Sequence, residues 1–132
     1  MPEPRTHLRL DRELVGDLLH LEEGLASVRC TTTARMAADD EGLVHGGFVF
    51  GIADHAAMLA VNDPHVVLGS ADIRFLAPVR VGDEVEAVAR RTIQRGKKHV
   101  LEVEVRVGDT PVLSGTLTAF VLASHVLTPG AG

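Results

Sequence analysis

Residues 43–61 read LVHGGFVFGIADHAAMLAV and form the most apolar window of the chain. The window is about the length of a membrane span. It also holds His45, Gly46, Gly47, Gly51, Asp54 and His55, and an ionised Asp at mid-bilayer costs several kcal/mol. The better reading is a buried helix in a soluble protein. Phe48, Ile52, Ala56 and Leu59 fall on one helical stripe and Phe50, Ala57, Met58 and Val61 on a second, so the helix is apolar almost all round. Other elements must wrap it. Asn62-Asp63-Pro64 stops it, because the residue before a proline is pushed out of the helical region.

Downstream of this helix, turn signals at Pro78 to Gly82, at Gly96 and at Gly108-Asp109 separate four predicted strands: His65–Leu76, Asp83–Gln94, Lys98–Val107 and Pro111–Ser124. Val85, Ala87 and Ala89 alternate with Glu84, Glu86 and Arg90, and Val103, Val105 and Val107 alternate with Glu102, Glu104 and Arg106. One face of the sheet is therefore solvated and the other buried, as antiparallel meanders allow. Upstream, Asp39-Asp40-Glu41-Gly42 has turn chemistry, and Ala26–Met36 alternates as a half-exposed strand. Asp11–Leu21, with Asp11 as N-cap, reads as a short helix. The order is helix, strand, long buried helix, four strands. It predicts an α+β architecture of five or so antiparallel strands wrapped on one helix.

A length of 132 residues suits one domain, here residues 1–132, with an N-terminal segment (1–21) and a flexible tail (125–132). A net charge of −5 gives no field to draw the protein to nucleic acid or an anionic membrane. Four Phe, with no Trp or Tyr, leave little from which to build a base-stacking surface. The single cysteine, Cys30, forms no internal disulfide, and no signal segment opens the chain. The expected location is the cytoplasm. Cys30 itself reads as a small core residue.

Asp54 is the outlier, a carboxylate in mid-helix whose i−4, i+3 and i+4 neighbours are Phe50, Ala57 and Met58. A buried charge is costly unless it is paired or used, so Asp54 either does chemistry or meets an Arg or a backbone donor and only holds the structure. The pattern alone leaves both open. His45-Gly46-Gly47 stands where the helix begins, and open first-turn amides at the positive end of the helix dipole can polarise a carbonyl oxygen. A double glycine is also a common tight turn. Together, amide donors and a carboxylate supply both needs of acyl transfer. Seven helical residues span about 10 Å, so the donors and the carboxylate of one copy need not serve one site, and a dimer that brings two such helices together would solve this.

The run HGGFVFGIADHAAMLAVND resembles the HGG…LAD…A.N signature of the PaaI-like branch of hotdog-fold thioesterases. EEGLASVRCTTTARM, ADIRFLAPVRVGDEV and RGKKHVLEVEV extend the similarity over about residues 22–122. The resemblance implies an acyl-CoA thioesterase that uses neither metal nor organic cofactor and works as a homodimer or a dimer of dimers. Asp54 is then general base or nucleophile, and Gly47, helped by Gly46, holds the thioester oxygen while His45 shapes the turn. Asn62, Arg74, Arg95, Gly96, Lys97 and Lys98 become candidates for contacts to the CoA portion of the substrate. For the basic turn the bland alternative is plain solvation, and for Arg74 a cross-strand salt bridge. His55 points about 100° from Asp54 on the helix and reads as a packing histidine. The motif departs from its usual Asn-Ser ending at Asn62-Asp63.

Two rival readings share the fold. LGSADIRFLAPVRVGDEV and AVND also resemble the acyl-CoA-sensing hotdog repressor of bacterial lipid synthesis, a binding module without turnover. About 20 residues ahead of the first strand are too few for a helix-turn-helix domain. An enoyl-CoA hydratase would instead pair His45 with Asp54 for water addition.

Overall fold

A computed structural model describes residues 1–130, so the last two residues of the expected tail lie outside the described residues. The elements are α1 (Arg12–Val15), β1 (Asp17–Glu22), β2 (Leu25–Thr31), a 3₁₀ turn (Ala34–Met36), α2 (Gly46–Val61), β3 (Val66–Phe75), β4 (Glu84–Arg95), β5 (Lys98–Val107) and β6 (Thr110–Val121). The strands form one six-stranded sheet in the order β1-β2-β4-β5-β6-β3, antiparallel throughout. This is the α+β hotdog layout implied by the resemblance, with six strands where about five were expected.

The extra strand replaces most of the helix expected over Asp11–Leu21. Asp11 does cap α1, its side chain accepting from the Glu13 N–H. The helix stops after one turn because Gly16 takes φ 88°, and a Cβ there would lie 2.6 Å from the Arg29 carbonyl oxygen. Residues 17–22 then pair with β2 as the sheet's first edge. The strand expected to run to Met36 ends at Thr31. Beyond it the Thr32 hydroxyl donates to the carbonyls of Arg80 and Asp83, at 2.7 and 3.2 Å, tying the chain to the β3–β4 connection.

The inward faces follow the alternation read from the sequence. Val85, Ala87, Ala89, Val103 and Val105 are buried, while Glu84 and Glu86 lie outside and meet Arg29 at 2.8 and 3.7 Å. Such exposed pairs add little stability. α2 crosses the concave face and presents Ala53, Ala56, Ala57 and Ala60, none more than 1% exposed. Small side chains there let the sheet close on the helix axis. β3 is different. It forms the second edge, only Val66 is buried, and residues 69–72 are exposed on both faces.

Candidate active site

α2 begins at Gly46 behind His45, which is extended (φ −63°, ψ 130°) and gives no side-chain cap. The Phe48 N–H donates to the His45 carbonyl at 3.0 Å. No acceptor among the described residues takes the N–H of Gly46 or Gly47, and a helix start always has such amides to spare. Both glycines also sit close under a ring, where a side chain would press on its neighbour. A Cβ at position 46 would sit 3.2 Å from the Phe75 ring, and one at position 47 would sit 3.1 Å from the His45 ring. Two rings thus rest on bare backbone beside two open amides, and His45 meets Phe48 edge-on at 6.0 Å. A groove of about 420 Å³ opens there, lined by Val44, Gly46, Val49, Phe75, Leu76 and Pro78 among others. Phe75 escaped the sequence reading, which treated it only as part of a strand.

Two turns further along α2, Asp54 is half-buried. One carboxylate oxygen is fully enclosed with no hydrogen-bond partner, and no cation pairs with the group among the described residues. Burial pushes its pKa from 3.8 up to about 6. The charged form has lost water and gained nothing in return, an arrangement that costs stability and recurs at working sites. Neither Asp54 nor Gly47 lines the groove at Gly46.

Asn62 and the 95–98 turn lie at the other end of α2, about 24 Å away at 1.5 Å per residue, whereas Arg74 adjoins Phe75 at the Gly46 end. Gly96 and Lys97, in the β4–β5 turn, line a cavity of about 360 Å³ with Asn62, Arg5, Arg91 and His99. Arg95 and Lys98 pair across that turn and do not line the cavity. Asn62 is the left-handed C-cap of α2 (φ 53°). Its side chain accepts from the Arg5 N–H at 2.7 Å and donates to the Glu3 carbonyl at 3.0 Å. Its amide is thus taken up by the first residues of the chain. Arg74 is exposed on β3, without an ion pair among the described residues. Arg5, Arg91 and His99 were missed, since contacts across such sequence distances leave no local signal.

His55 is buried and its Nδ1 lies 3.0 Å from the Val15 carbonyl. Burial lowers its pKa, opposed by that hydrogen bond and by Asp17. Cys30 is a buried free thiol whose pKa burial raises, with Asp17 adding to the shift. Among the described residues no three His, Cys, Asp or Glu side chains cluster as for a metal, and no helix is long and apolar enough to cross a membrane.

A sequence profile of the thioesterase superfamily matches residues 41–114, from the turn before α2 into β6. The chain belongs to that superfamily. A protein from Pyrococcus horikoshii, described as uncharacterized, is 49% identical with a TM-score of 0.94, over 96% of this chain and 97% of that one. A mutant of the phenylacetic acid degradation protein PaaI from Thermus thermophilus is 32% identical with a TM-score of 0.75, over 83% of this chain and 96% of that one. Such neighbours support the PaaI-like hotdog branch.

Among curated proteins, a methylthioribose-1-phosphate isomerase of Aquifex aeolicus is 48% identical over 119 residues, 89% of this chain and 26% of that protein. The transcription factor FapR of Caldanaerobacter subterraneus is 29% identical over 119 residues, 89% of this chain and 60% of its own length. The chain thus spans about a quarter of the first relative and three-fifths of the second.

Proposed function

We propose that the protein hydrolyses an acyl-CoA thioester to a free acid and CoA, and that it does so as a pair of copies. The observation that carries this reading is the enclosed, unpartnered carboxylate oxygen of Asp54 on the same helix as two open glycine amides. In the proposed reaction the thioester oxygen rests on the Gly47 N–H, with Gly46 assisting. Asp54 takes a proton from water as that water's oxygen attacks the carbonyl carbon. The C–S bond breaks and the departing thiolate takes up a proton. Asp54 can alternatively attack directly, with water cleaving the resulting anhydride. Side chains, backbone amides and water suffice, and no cofactor enters.

Two copies are proposed because about 10 Å of helix separates Gly47 from Asp54. The bare edge of β3 offers a place to join. Antiparallel self-pairing centred on Ile73 sets Asp72 of one copy opposite Arg74 of the other, a favourable cross-strand pair. The basic turn at Gly96-Lys97 is assigned to the CoA phosphates. Arg95, Lys98 and Asn62 have weaker support, the first two lying outside the cavity and the third held by the chain start.

The FapR relatives favour a second reading, a sensor that binds acyl-CoA without turning it over. Incubation with saturated acyl-CoA and enoyl-CoA separates the possibilities. Thiol release that disappears in Asp54→Asn, with the fold and CoA binding intact, supports hydrolysis. Tight binding without thiol release supports the sensor, and hydration of the enoyl double bond a hydratase.

A further inference from the structure

The first ten residues form a strap over the flank of α2 that carries His55. The strap is tied to Asn62 through Glu3 and Arg5, buries Thr6 and turns at His7, which takes a left-handed φ of 56°. Between the strap, α1, β1 and α2 lies a cavity of about 280 Å³. Leu8, Leu18 and Leu59 contribute apolar walls, while His7, Arg12 and His55 bring nitrogen groups to it.

His55 carries the argument. The residue is 6% exposed, and Nδ1 faces a carbonyl at 3.0 Å. A carbonyl only accepts, so Nδ1 bears the hydrogen and Nε2 of the neutral ring offers a lone pair. No donor among the described residues meets that nitrogen. His7 is near enough that the two rings oppose each other's charging, and its Nδ1 is engaged with the Thr6 hydroxyl at 2.9 Å. Arg12 supplies a fixed positive charge. It is shared with Asp17 at 3.5 Å on the exposed side, and Asp17 does not line the cavity.

A ligand suited to this cavity offers negative charge to a protonated Nε2 and to Arg12, and covers leucine side chains with an apolar body. At roughly 30 Å³ per heavy atom, the share water takes in the liquid, the volume admits about nine heavy atoms. We propose that the cavity under the strap binds a small carboxylic acid with a short apolar body, such as a medium-chain or aryl acid. The acid binds as its carboxylate while His55 Nε2 takes up one proton from water, so the carboxylate lies between that imidazolium and Arg12. No covalent bond between ligand and protein is made. The site goes beyond the hydrolysis reading and stands or falls separately from it.

The test uses the full chain with isotope-labelled histidine, titrated with hexanoate, with benzoate, and with hexanamide as the uncharged control. Hexanoate and benzoate are expected to shift the ring signals of His7 and His55 saturably, and hexanamide is not. Both His55→Phe and Arg12→Gln should weaken binding by at least about tenfold, the usual cost of losing a hydrogen bond to a charged group. Arg12→Gln lies on the exposed α1 and leaves the core untouched, so it decides the matter even if His55→Phe does not fold. Ring signals that stay still, that move equally with hexanamide, or shifts confined to His45 at the start of α2 overturn the proposal.

Discussion

Asp54 and His55 are consecutive residues on one helix, both withdrawn from water, yet the two flanks of α2 treat them in opposite ways. Burial penalises the charged form in each case, so the acid's pKa rises to about 6 and the base's falls. The difference lies in the partners. His55 gives its proton-bearing nitrogen to Val15 and so belongs to the packing of α1 against α2. Asp54 has an enclosed oxygen with no donor at all. Where a buried polar group is satisfied the fold gains, and where it is left bare the fold gives up stability for something else.

The sharpest way to break this contrast is Asp54→Asn. Thiol release from acyl-CoA should fall by about two to four orders of magnitude, the usual weight of a positioned general base, with the circular dichroism spectrum unchanged. A rate within a few fold of wild type removes Asp54 from the reaction. The same carboxylate should set the acid limb of the pH profile, with kcat/KM rising as Asp54 ionises near pH 6. Asp54→Asn should flatten the limb in whatever activity remains.

Stability measurements sharpen the contrast further. The native state holds the Asp54 proton more tightly than the unfolded chain does between pH 3.8 and about 6. Stability is therefore lost as pH rises through that window, by up to about 3 kcal/mol. Denaturant titrations at pH 8 should find Asp54→Asn more stable than wild type by up to that amount. For His55 the sign reverses, because a lowered pKa makes stability fall as pH drops below 6.5. Its replacement by Phe should blunt that acid-side loss only in part, since His7 and His99 are shifted the same way. It should also cost about 1–3 kcal/mol through the stranded Val15 carbonyl, while kcat changes little. The smallest effect belongs to the far end of α2, where Lys97→Ala should raise KM for acyl-CoA a few-fold. That rise should shrink at high salt, as exposed phosphate contacts do.

The two flanks also differed in how far the sequence revealed them. Asp54 stood out because a carboxylate among Phe50, Ala57 and Met58 breaks a local pattern, and the glycines of the helix start are equally local. The strands of the sheet's middle were legible for the same reason, since alternation such as Val103, Val105 against Glu102, Glu104 is written within a few residues. What could not be read was set by distant partners. Leu14, Val15, Leu18, Leu19 and Leu21 fit a helix as well as a strand, and only Gly16 and pairing with β2 turn the residues from Asp17 on into a strand. The bonds of Asn62 to Glu3 and Arg5, and of His55 to Val15, join residues 40 or more apart. The strap therefore gave no sign of itself beforehand, nor did the cavity beneath it.

β3 carries one last consequence. A ten-residue strand with a bare edge and four consecutive residues open on both faces is a growth template for fibrils as much as a seam. Asp72 and Arg74 are the charges that guard it, so neutralising both should shorten the shelf life of a dilute preparation well before it disturbs any single folded molecule.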